Sequence, residues 1–261
     1  MTTCFPLLNL PPETISHVLK SMNINEFITL SFLSKRAKLL VEAMELKIPN
    51  VIVQLFTDFL LYDIDEIKAT VGNFDMLLLS RNGIKNKGYD LLVKHFVSRC
   101  LVLGGGVFEC LEHPKEVLIQ NYDELRIISE GDMSIILDDL LMINSKIAML
   151  EDVNWTGKEV NQFIKHWIKG SNPRLETLDI FSRGEAFNRT IALKGIRYKE
   201  IPANHVRKFK TLHQESLDVE GGYDIIRHDG TTATVTFDYD EGFDTDSLKM
   251  HVWHPHCVGD S

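Results

Sequence analysis

The chain has 261 residues, of which 44% are hydrophobic and 25% charged, as is typical of a soluble globular protein. Its formal net charge of −9 disfavours nucleic-acid binding, because contacts to phosphates need a basic surface that this sequence lacks. No apolar run reaches the roughly 20 residues that cross a bilayer, so a membrane is not expected as a partner. The four cysteines are far apart and no signal-peptide pattern precedes them, so we expect reduced thiols and a cytoplasmic or nuclear location.

Residues 10 to 41 predict three short helices. Pro11 opens the first, where a missing N–H costs no hydrogen bond. Asn25 can cap a second helix from Glu26, and Ser34 can cap a third. Three short helices cannot bury all of their apolar side chains, so the surplus indicates a docking surface for another protein. The residues assigned to this surface are Leu10, Pro11, Ile15, Val18, Leu19, Met22, Phe27, Leu30 and Leu33.

This segment resembles an F-box. It has the leading Leu-Pro, an acid two places on at Glu13, paired aliphatics, an acid and an apolar residue opening the second helix, and a closing Leu-Ser-Lys. Ala37 departs from the family pattern, in which many members carry tryptophan. The alternative is an ordinary amphipathic helical hairpin. The resemblance implies that the docking surface binds a Skp-family adapter and, through it, a cullin.

The region from 48 to 144 predicts short strands around a helix. The strands are expected at 51–56, 76–79, 115–120 and 123–128, and the helix at 89–99. The glycine-rich run from Leu103 to Val107 lacks the spacing of a phosphate-binding loop, so we expect a turn.

The block from 147 to 180 has the most regular pattern in the chain. It predicts a strand at 147–153, a helix from a capping box at Thr156 to a C-cap at Gly170, and a strand at 175–180. Leu150 and Leu178 occupy equivalent positions 28 residues apart, within the 20 to 29 residues of leucine-rich-type repeats. Only one period is clean, so we predict a single strand–helix–strand unit with parallel strands.

The C-terminal part predicts an antiparallel hairpin. Asp229-Gly230 separates two runs rich in β-branched residues, which is a strong hairpin signal. A third strand is expected at 248–253.

The block from about 145 to 253 resembles the type 2 F-box-associated domain of nematode F-box proteins. The matching stretches are Lys165–Glu176 with Leu178, Leu193–Ile196, Gly222–Ile225, Arg227 and Asp229-Gly230. We therefore expect an F-box at 5–47, an α/β connecting region at 48–144 and the associated domain at 145–255. The expected fold class is α+β, in which a three-helix F-box precedes an α/β body with one repeat-like unit and a C-terminal hairpin.

Candidate catalytic and metal-binding residues are few. The acidic run from Asp238 to Asp246 lacks the closing glutamate of an EF-hand loop. His254, His256 and Cys257 are of metal-ligand type, but they lie too close together to complete a four-ligand site, so we expect a frayed polar tail. Trp155 and Trp167 are expected in the core. The sequence predicts no catalytic residue, no cofactor and no metal.

The predicted function is that of a substrate receptor in a cullin-based SCF-type ubiquitin ligase, with an unknown protein target. The alternative is an adapter-bound structural or inhibitory protein without a ubiquitylation target. The predicted target contacts are residues 181–189 and 238–247, because these segments match the family motifs least. The alternative is the region 48–144. The Asn172-Pro173-Arg174 turn is expected to serve folding.

Overall fold

The structure is a computed structural model that describes residues 11–22, 74–80, 89–129, 135–182, 187–212, 216–240 and 245–259. The elements in chain order are α1 (Pro12–Ser21), β1 (Phe74–Ser80), α2 (Tyr89–His95), β2 (Ser98–Gly104), α3 (Pro114–Leu118), β3 (Glu124–Ile128), α4 (Leu137–Met142), β4 (Ile147–Glu151), α5 (Gly157–Ile168), β5 (Thr177–Ser182), α6 (Arg189–Ala192), β6 (Lys199–Phe209), β7 (Leu217–Ile226), β8 (Thr232–Asp240) and β9 (Thr245–Val252). Short 3₁₀ helices lie at Phe108–Cys110 and Pro255–Cys257. Among these helices, none is long and apolar enough to cross a membrane.

The strands of the described residues form one nine-stranded sheet in the order β1-β2-β3-β4-β5-β9-β8-β7-β6. The first five strands are parallel and follow chain order. The pairing of β5 with β9 is antiparallel, and the remaining pairs are antiparallel as well. Because β9 pairs with β5 near the centre of the sheet, the parallel part and the C-terminal hairpin belong to the same sheet.

This sheet shows that the predicted fold class was wrong. The described part of the chain is mostly β and contains one mixed sheet, rather than an α+β arrangement led by a three-helix F-box. The β5–β9 pairing joins segments that the sequence patterns presented as separate units. Of the three predicted N-terminal helices, only the first lies within the described residues; those expected from Glu26 and Ser34 lie outside them.

The parallel strands are arranged as a repeat with two aliphatic columns. One column consists of Leu77, Leu101, Leu125, Ala148 and Leu178, and the other of Leu79, Leu103, Ile127, Leu150 and Ile180. All ten side chains are fully buried. Successive members of the first column are 24, 24, 23 and 30 residues apart in the chain (77 to 101 to 125 to 148 to 178).

The predicted equivalence of Leu150 and Leu178 was therefore wrong by two positions, since Leu150 pairs with Ile180 and Ala148 with Leu178. The unit around it was predicted correctly as strand, helix and parallel strand. The other periods, of 24, 24 and 23 residues, escaped sequence analysis because α3 was predicted as a strand and because Ala148 stands in a column of leucines.

Helices between the parallel strands cover the aliphatic columns. Phe163, Ile164 and Trp167 of α5 belong to the same buried core as these columns. The start of α5 is the predicted capping box: the Thr156 hydroxyl accepts the N–H of Lys158 at 3.2 Å, and the Glu159 carboxylate accepts the N–H of Thr156 at 2.9 Å. Glu159 thus satisfies a backbone donor that would otherwise lack a partner.

Several predicted elements between 89 and 128 needed correction. The strand predicted at 115–120 is helix α3, which Pro114 opens in its first turn. The helix predicted to reach Arg99 ends at His95, and strand β2 follows from Ser98. The strands at 76–79 and 123–128 were predicted correctly, whereas 51–56 lies outside the described residues.

The C-terminal strands follow the prediction, with one addition. Arg227 N–H donates to the Thr231 carbonyl at 2.8 Å around the Asp229-Gly230 turn, where Gly230 has φ 89°. β9 is the predicted third strand. β6 was missed because it is a mostly exposed edge strand, without the apolar alternation that marks a half-buried one.

The predicted frayed tail was also wrong. Residues 255–257 form a 3₁₀ turn, and Cys257 is fully buried beside Phe209 and Val219. His254 Nε2 lies 3.0 Å from the Leu175 carbonyl oxygen. The N–H of Gly259 donates to the Lys208 carbonyl at 2.8 Å, so the tail is tied to the end of β6.

Candidate functional site

The first candidate surface is the accessible side of α1. Ile15 and Leu19 are 5% and 2% exposed, so these two predicted adapter contacts lie inside the protein. Pro11 is exposed, and Val18 and Met22 are half-buried. The described part of the predicted surface therefore divides into anchors that hold the helix and residues that a partner can reach. Leu10, Phe27, Leu30 and Leu33 lie outside the described residues.

The second candidate surface is the sheet face that points away from the aliphatic columns, which we call the second face. Successive side chains of a strand alternate between faces, so the residues between the buried column positions point here. Strand pairing places Leu78, Val102, Arg126, Met149, Asp179 and Lys249 side by side across β1 to β5 and β9. Apart from the buried Val102, these side chains are half-buried.

Charges of both signs occupy the middle of the second face. Arg126 Nη2 lies 3.7 Å from a Glu124 carboxylate oxygen, and its Nε lies 3.9 Å from one of Glu151. The Arg126 side chain is 37% exposed, and the Glu151 side chain is 32% exposed. Neither distance is that of a close hydrogen bond, and Arg126 Nε has no hydrogen-bond partner. The Nε atom is itself buried, so only the exposed part of this guanidinium is available to another molecule.

Asp179 lies beside Lys249 in the strand register and has one buried carboxylate oxygen, Oδ1, without a hydrogen-bond partner. Burial raises the pKa of Asp179 to about 6, although the positive charges of Lys249 and Arg126 oppose this shift. The second face thus contains an acceptor and a donor atom that are buried without a hydrogen-bond partner.

The two predicted target-contact segments lie next to each other. Phe181 pairs with Ser247, and Asp238 pairs with the same serine from the other side. This places the end of β5, the end of β8 and the start of β9 side by side at the ends of neighbouring strands. Residues 183–186 and 241–244 of these segments lie outside the described residues.

The Asn172–Arg174 turn is held entirely by internal contacts. The buried Asn172 amide donates to the carbonyl oxygens of Leu140 at 2.9 Å and Ile143 at 2.8 Å, and its backbone has φ 50°. Arg174 Nη1 donates to Asn121 and to the Asn144 carbonyl. These bonds support the predicted folding role. The two tryptophans predicted in the core, Trp155 and Trp167, are both buried.

Sequence analysis did not single out Arg126, Asp179 or Lys249. Each is the charged residue between two buried aliphatic or methionine neighbours in a strand: Leu125 and Ile127, Leu178 and Ile180, and Leu248 and Met250. That local pattern was visible, but it is shared by ordinary surface positions. Only the strand register shows that the three residues lie in one row.

Comparison with known proteins identifies two domain families in this chain. A family model for the F-box domain matches residues 7–49, and a model described as F-box associated matches residues 113–180. The chain is also similar to the F-box associated domain-containing protein sdz-33 of Caenorhabditis elegans, with 24% identity over 297 aligned residues that cover 91% of this chain and 95% of that protein. No solved structure matches the chain.

The chain therefore carries an F-box followed by an F-box-associated domain, as its motifs predicted. Proteins of these families are adapters or receptors and not typically enzymes, and F-box domains bind Skp-family adapters within SCF-type complexes. The F-box-associated match begins inside the predicted connecting region, and the domain boundaries at 47, 144 and 255 remain predictions.

Proposed function

We propose that this chain is the substrate receptor of a cullin-based SCF-type ubiquitin ligase. Its F-box would hold a Skp-family adapter, and the second face would hold a protein target. The observation that carries the proposal is the combination of an F-box match at 7–49 with a sheet face of half-buried, incompletely paired charges. The chain itself would perform no chemistry. It would position the target so that ubiquitin transfer becomes effectively intramolecular.

The adapter side of the proposal rests on α1. Val18 and Met22 are half-buried apolar residues on a helix whose Ile15 and Leu19 are already buried within the chain. Such residues gain further burial only from a partner, and removing a buried apolar anchor from an interface typically costs about 2 kcal/mol or more.

The target side of the proposal rests on Arg126 and Asp179. Hydrogen bonds to charged groups contribute more than neutral ones, about 1.5–3 kcal/mol each, provided both partners are desolvated together. The half-buried side chains of Arg126 and Asp179 lie on the same face and fit a polar target segment with both a carbonyl or carboxylate and an N–H group. Half-buried apolar neighbours such as Met149 would add area at the centre of the contact.

The test is affinity purification followed by mass spectrometry from cells in which the proteasome is inhibited. Four forms of the full chain are compared: wild type, Val18→Glu with Met22→Glu, Arg126→Glu with Lys249→Glu, and Lys158→Glu with Lys194→Glu. The last pair is exposed and lies off both candidate surfaces, and it changes the net charge as much as the second-face pair does.

The proposal expects the α1 variant to lose the adapter and the cullin. The second-face variant should keep the adapter and lose the protein targets, and the control should keep everything. If wild type recovers an adapter but neither a cullin nor ubiquitylated proteins, the chain is the adapter-bound inhibitory or structural protein instead. If the second-face variant recovers the same targets, the target surface lies elsewhere.

A further inference from the structure

Three side chains of metal-ligand type converge where the C-terminal tail meets the start of β5. Glu176, His256 and Cys257 each offer one ligand atom, and these atoms all lie within 4.8 Å of one another. His256 Nε2 is 3.0 Å from a Glu176 carboxylate oxygen. The two parts of the cluster are 80 residues apart in the chain. The sequence pattern could offer only the histidines and the cysteine, and Glu176 is the ligand that it lacked.

Backbone contacts hold these residues in place. The N–H of Glu176 donates to the Lys146 carbonyl at 2.7 Å, and its own carbonyl accepts the N–H of Val252 at 2.8 Å. The Cys257 carbonyl accepts the N–H of Lys210 at 2.8 Å. The ligand positions are therefore set by the sheet and by the end of β6, and they do not depend on a bound ion to bring them together.

The environment of Glu176 can accommodate a cation. Its side chain is 7% exposed, and within the described residues no lysine or arginine pairs with it. Buried carboxylates are normally paired with a cation or bound to a metal. His256 and the Cys257 thiol both hydrogen-bond this carboxylate, so a divalent cation between the three side chains would replace these hydrogen bonds with ligand bonds.

We propose that Glu176, His256 and Cys257 form a site for a divalent transition metal, with zinc as the ion that fits best. Carboxylate, imidazole and thiolate are all zinc ligands, at about 2.0–2.3 Å from the metal. A carboxylate and a thiolate together neutralise a divalent cation. His256 is 66% exposed, so the fourth position faces solvent and can hold water. Binding requires that Cys257 release its proton to solvent as the metal enters.

A metal at this site would tie the C-terminal tail to the middle of the sheet. Glu176 immediately precedes β5, whereas Cys257 contacts the end of β6. Metal binding that exists only in the folded chain adds to stability by mass action. The inference is independent of the proposed receptor function, because none of the three residues lies on α1 or in the row of the second face.

The test uses the purified full-length chain, stripped with a chelating resin and then reloaded with zinc alone. Elemental analysis by mass spectrometry should show one zinc per chain, and thermal unfolding should shift to a higher temperature. Cobalt reloading should produce the near-ultraviolet absorption of a thiolate bound to cobalt. His256→Ala and Cys257→Ala should each weaken zinc binding by at least about 100-fold, since even loss of a group behind a ligand costs 10–100-fold.

The matched controls are His205→Ala, another exposed histidine, and Cys110→Ala, another cysteine. Both should bind zinc as wild type does. Because the His256 side chain is largely exposed, its variant keeps the fold, which circular dichroism checks, and it decides the question if Cys257→Ala does not fold. A folded wild type without stoichiometric zinc after reloading, a His256 variant with unchanged affinity, or a cobalt spectrum without thiolate absorption would each overturn the site.

Discussion

The guanidinium of Arg227 lies over the indole ring of Trp167, with its central carbon 5.3 Å from the ring centroid. Both side chains are buried, and Arg227 Nε and Nη2 donate to the Asp229 carboxylate at 3.0 and 2.7 Å. Nearby, the N–H of His228 donates to the Ile168 carbonyl at 2.9 Å. Two stretches of the family resemblance, one on α5 and one on the hairpin, therefore meet in a single contact that fastens the hairpin to the helix.

Arg227→Ala should lower the free energy of unfolding by about 2–4 kcal/mol, because it removes a buried stacked cation and leaves the space over Trp167 unfilled. Arg227→Lys should recover only part of the loss, since an ammonium cannot reproduce the flat fork of the guanidinium. Urea unfolding measures both. Asp229→Asn is the control with a smaller effect, as that side chain is 41% exposed. An Arg227→Ala variant as stable as wild type would show that the contact is incidental.

Asn172 supplies a second stability prediction. Asn172→Ala should cost about 2–3 kcal/mol, because it leaves the buried carbonyls of Leu140 and Ile143 without their donor. Asn172→Gly removes the same amide but relieves the positive φ, so it separates the two contributions. Asn172→Asp should be the most damaging, since it sets an acceptor against two acceptors. Thermal unfolding ranks the three variants, and equal melting temperatures for Asp and Ala would contradict the hydrogen-bond explanation.

Asp179 should make stability fall as the pH rises through the range from about 4 to 6. Burial raises its pKa to about 6 in the folded chain, so the folded state holds a proton that the unfolded state has released. Asp179→Asn should therefore be more stable than wild type at neutral pH, by on the order of 1–3 kcal/mol, and equally stable below about pH 4. Urea unfolding over this pH range tests it, with the exposed Glu200→Gln as control. A difference independent of pH would contradict the assignment.

His251 should change the pH dependence of stability in the opposite direction to Asp179, over nearly the same pH range. Burial lowers its pKa to about 4, and the nearby charges of Lys249 and Arg207 add to the shift. Its unfolded form takes up a proton first, so stability falls as the pH drops from about 6.5 to 4. The two residues offset each other in wild type. Asp179→Asn should therefore unmask a steeper loss of stability in acid, whereas His251→Gln should reduce that loss.

The α1 surface gives a prediction about the adapter. Val18→Glu with Met22→Glu should weaken adapter binding more than about 30-fold while leaving the chain folded. Ile15→Ala and Leu19→Ala should act differently, since both side chains are buried: they should lower the stability of the chain by about 2–5 kcal/mol each. Calorimetric titration with a Skp-family adapter and urea unfolding separate the two effects.

Deletion of residues 1–47 should abolish adapter binding altogether, as the F-box match predicts. The double substitution Leu10→Ala with Pro11→Ala should weaken adapter binding by about 30-fold, which is the typical effect of truncating a buried apolar anchor. Full-strength binding by the truncated chain would place the adapter site outside the F-box.

The neighbouring segments 181–189 and 238–247 remain the predicted target contacts. Replacing both with neutral linkers, outside the strand residues 181–182, 238–240 and 245–247, should leave adapter binding unchanged and reduce target recovery. If targets are recovered equally, recognition depends on the second face alone or on residues 48–144.

Sequence analysis correctly predicted the features that depend on local chemistry. The capping box at Thr156, the Asp-Gly turn at 229–230 and the F-box pattern are all set by residues within a few positions of one another. These signals are readable because short-range hydrogen bonding and backbone preference act without knowledge of the rest of the chain. The folding role of Asn172 was predicted from the family resemblance, and the bonds that support it reach Leu140 and Ile143, about 30 residues away.

The tertiary structure alone decided what depends on strand register. The pairing of Thr177 with His251 joins the parallel repeat to the hairpin, and it turns an expected α+β chain into one mixed sheet. The same register aligns Arg126, Asp179 and Lys249 on one face, and it brings Glu176 to His256 and Cys257 across 80 residues of chain. Such long-range pairing is the sum of many weak contacts, and no single sequence window contains both partners.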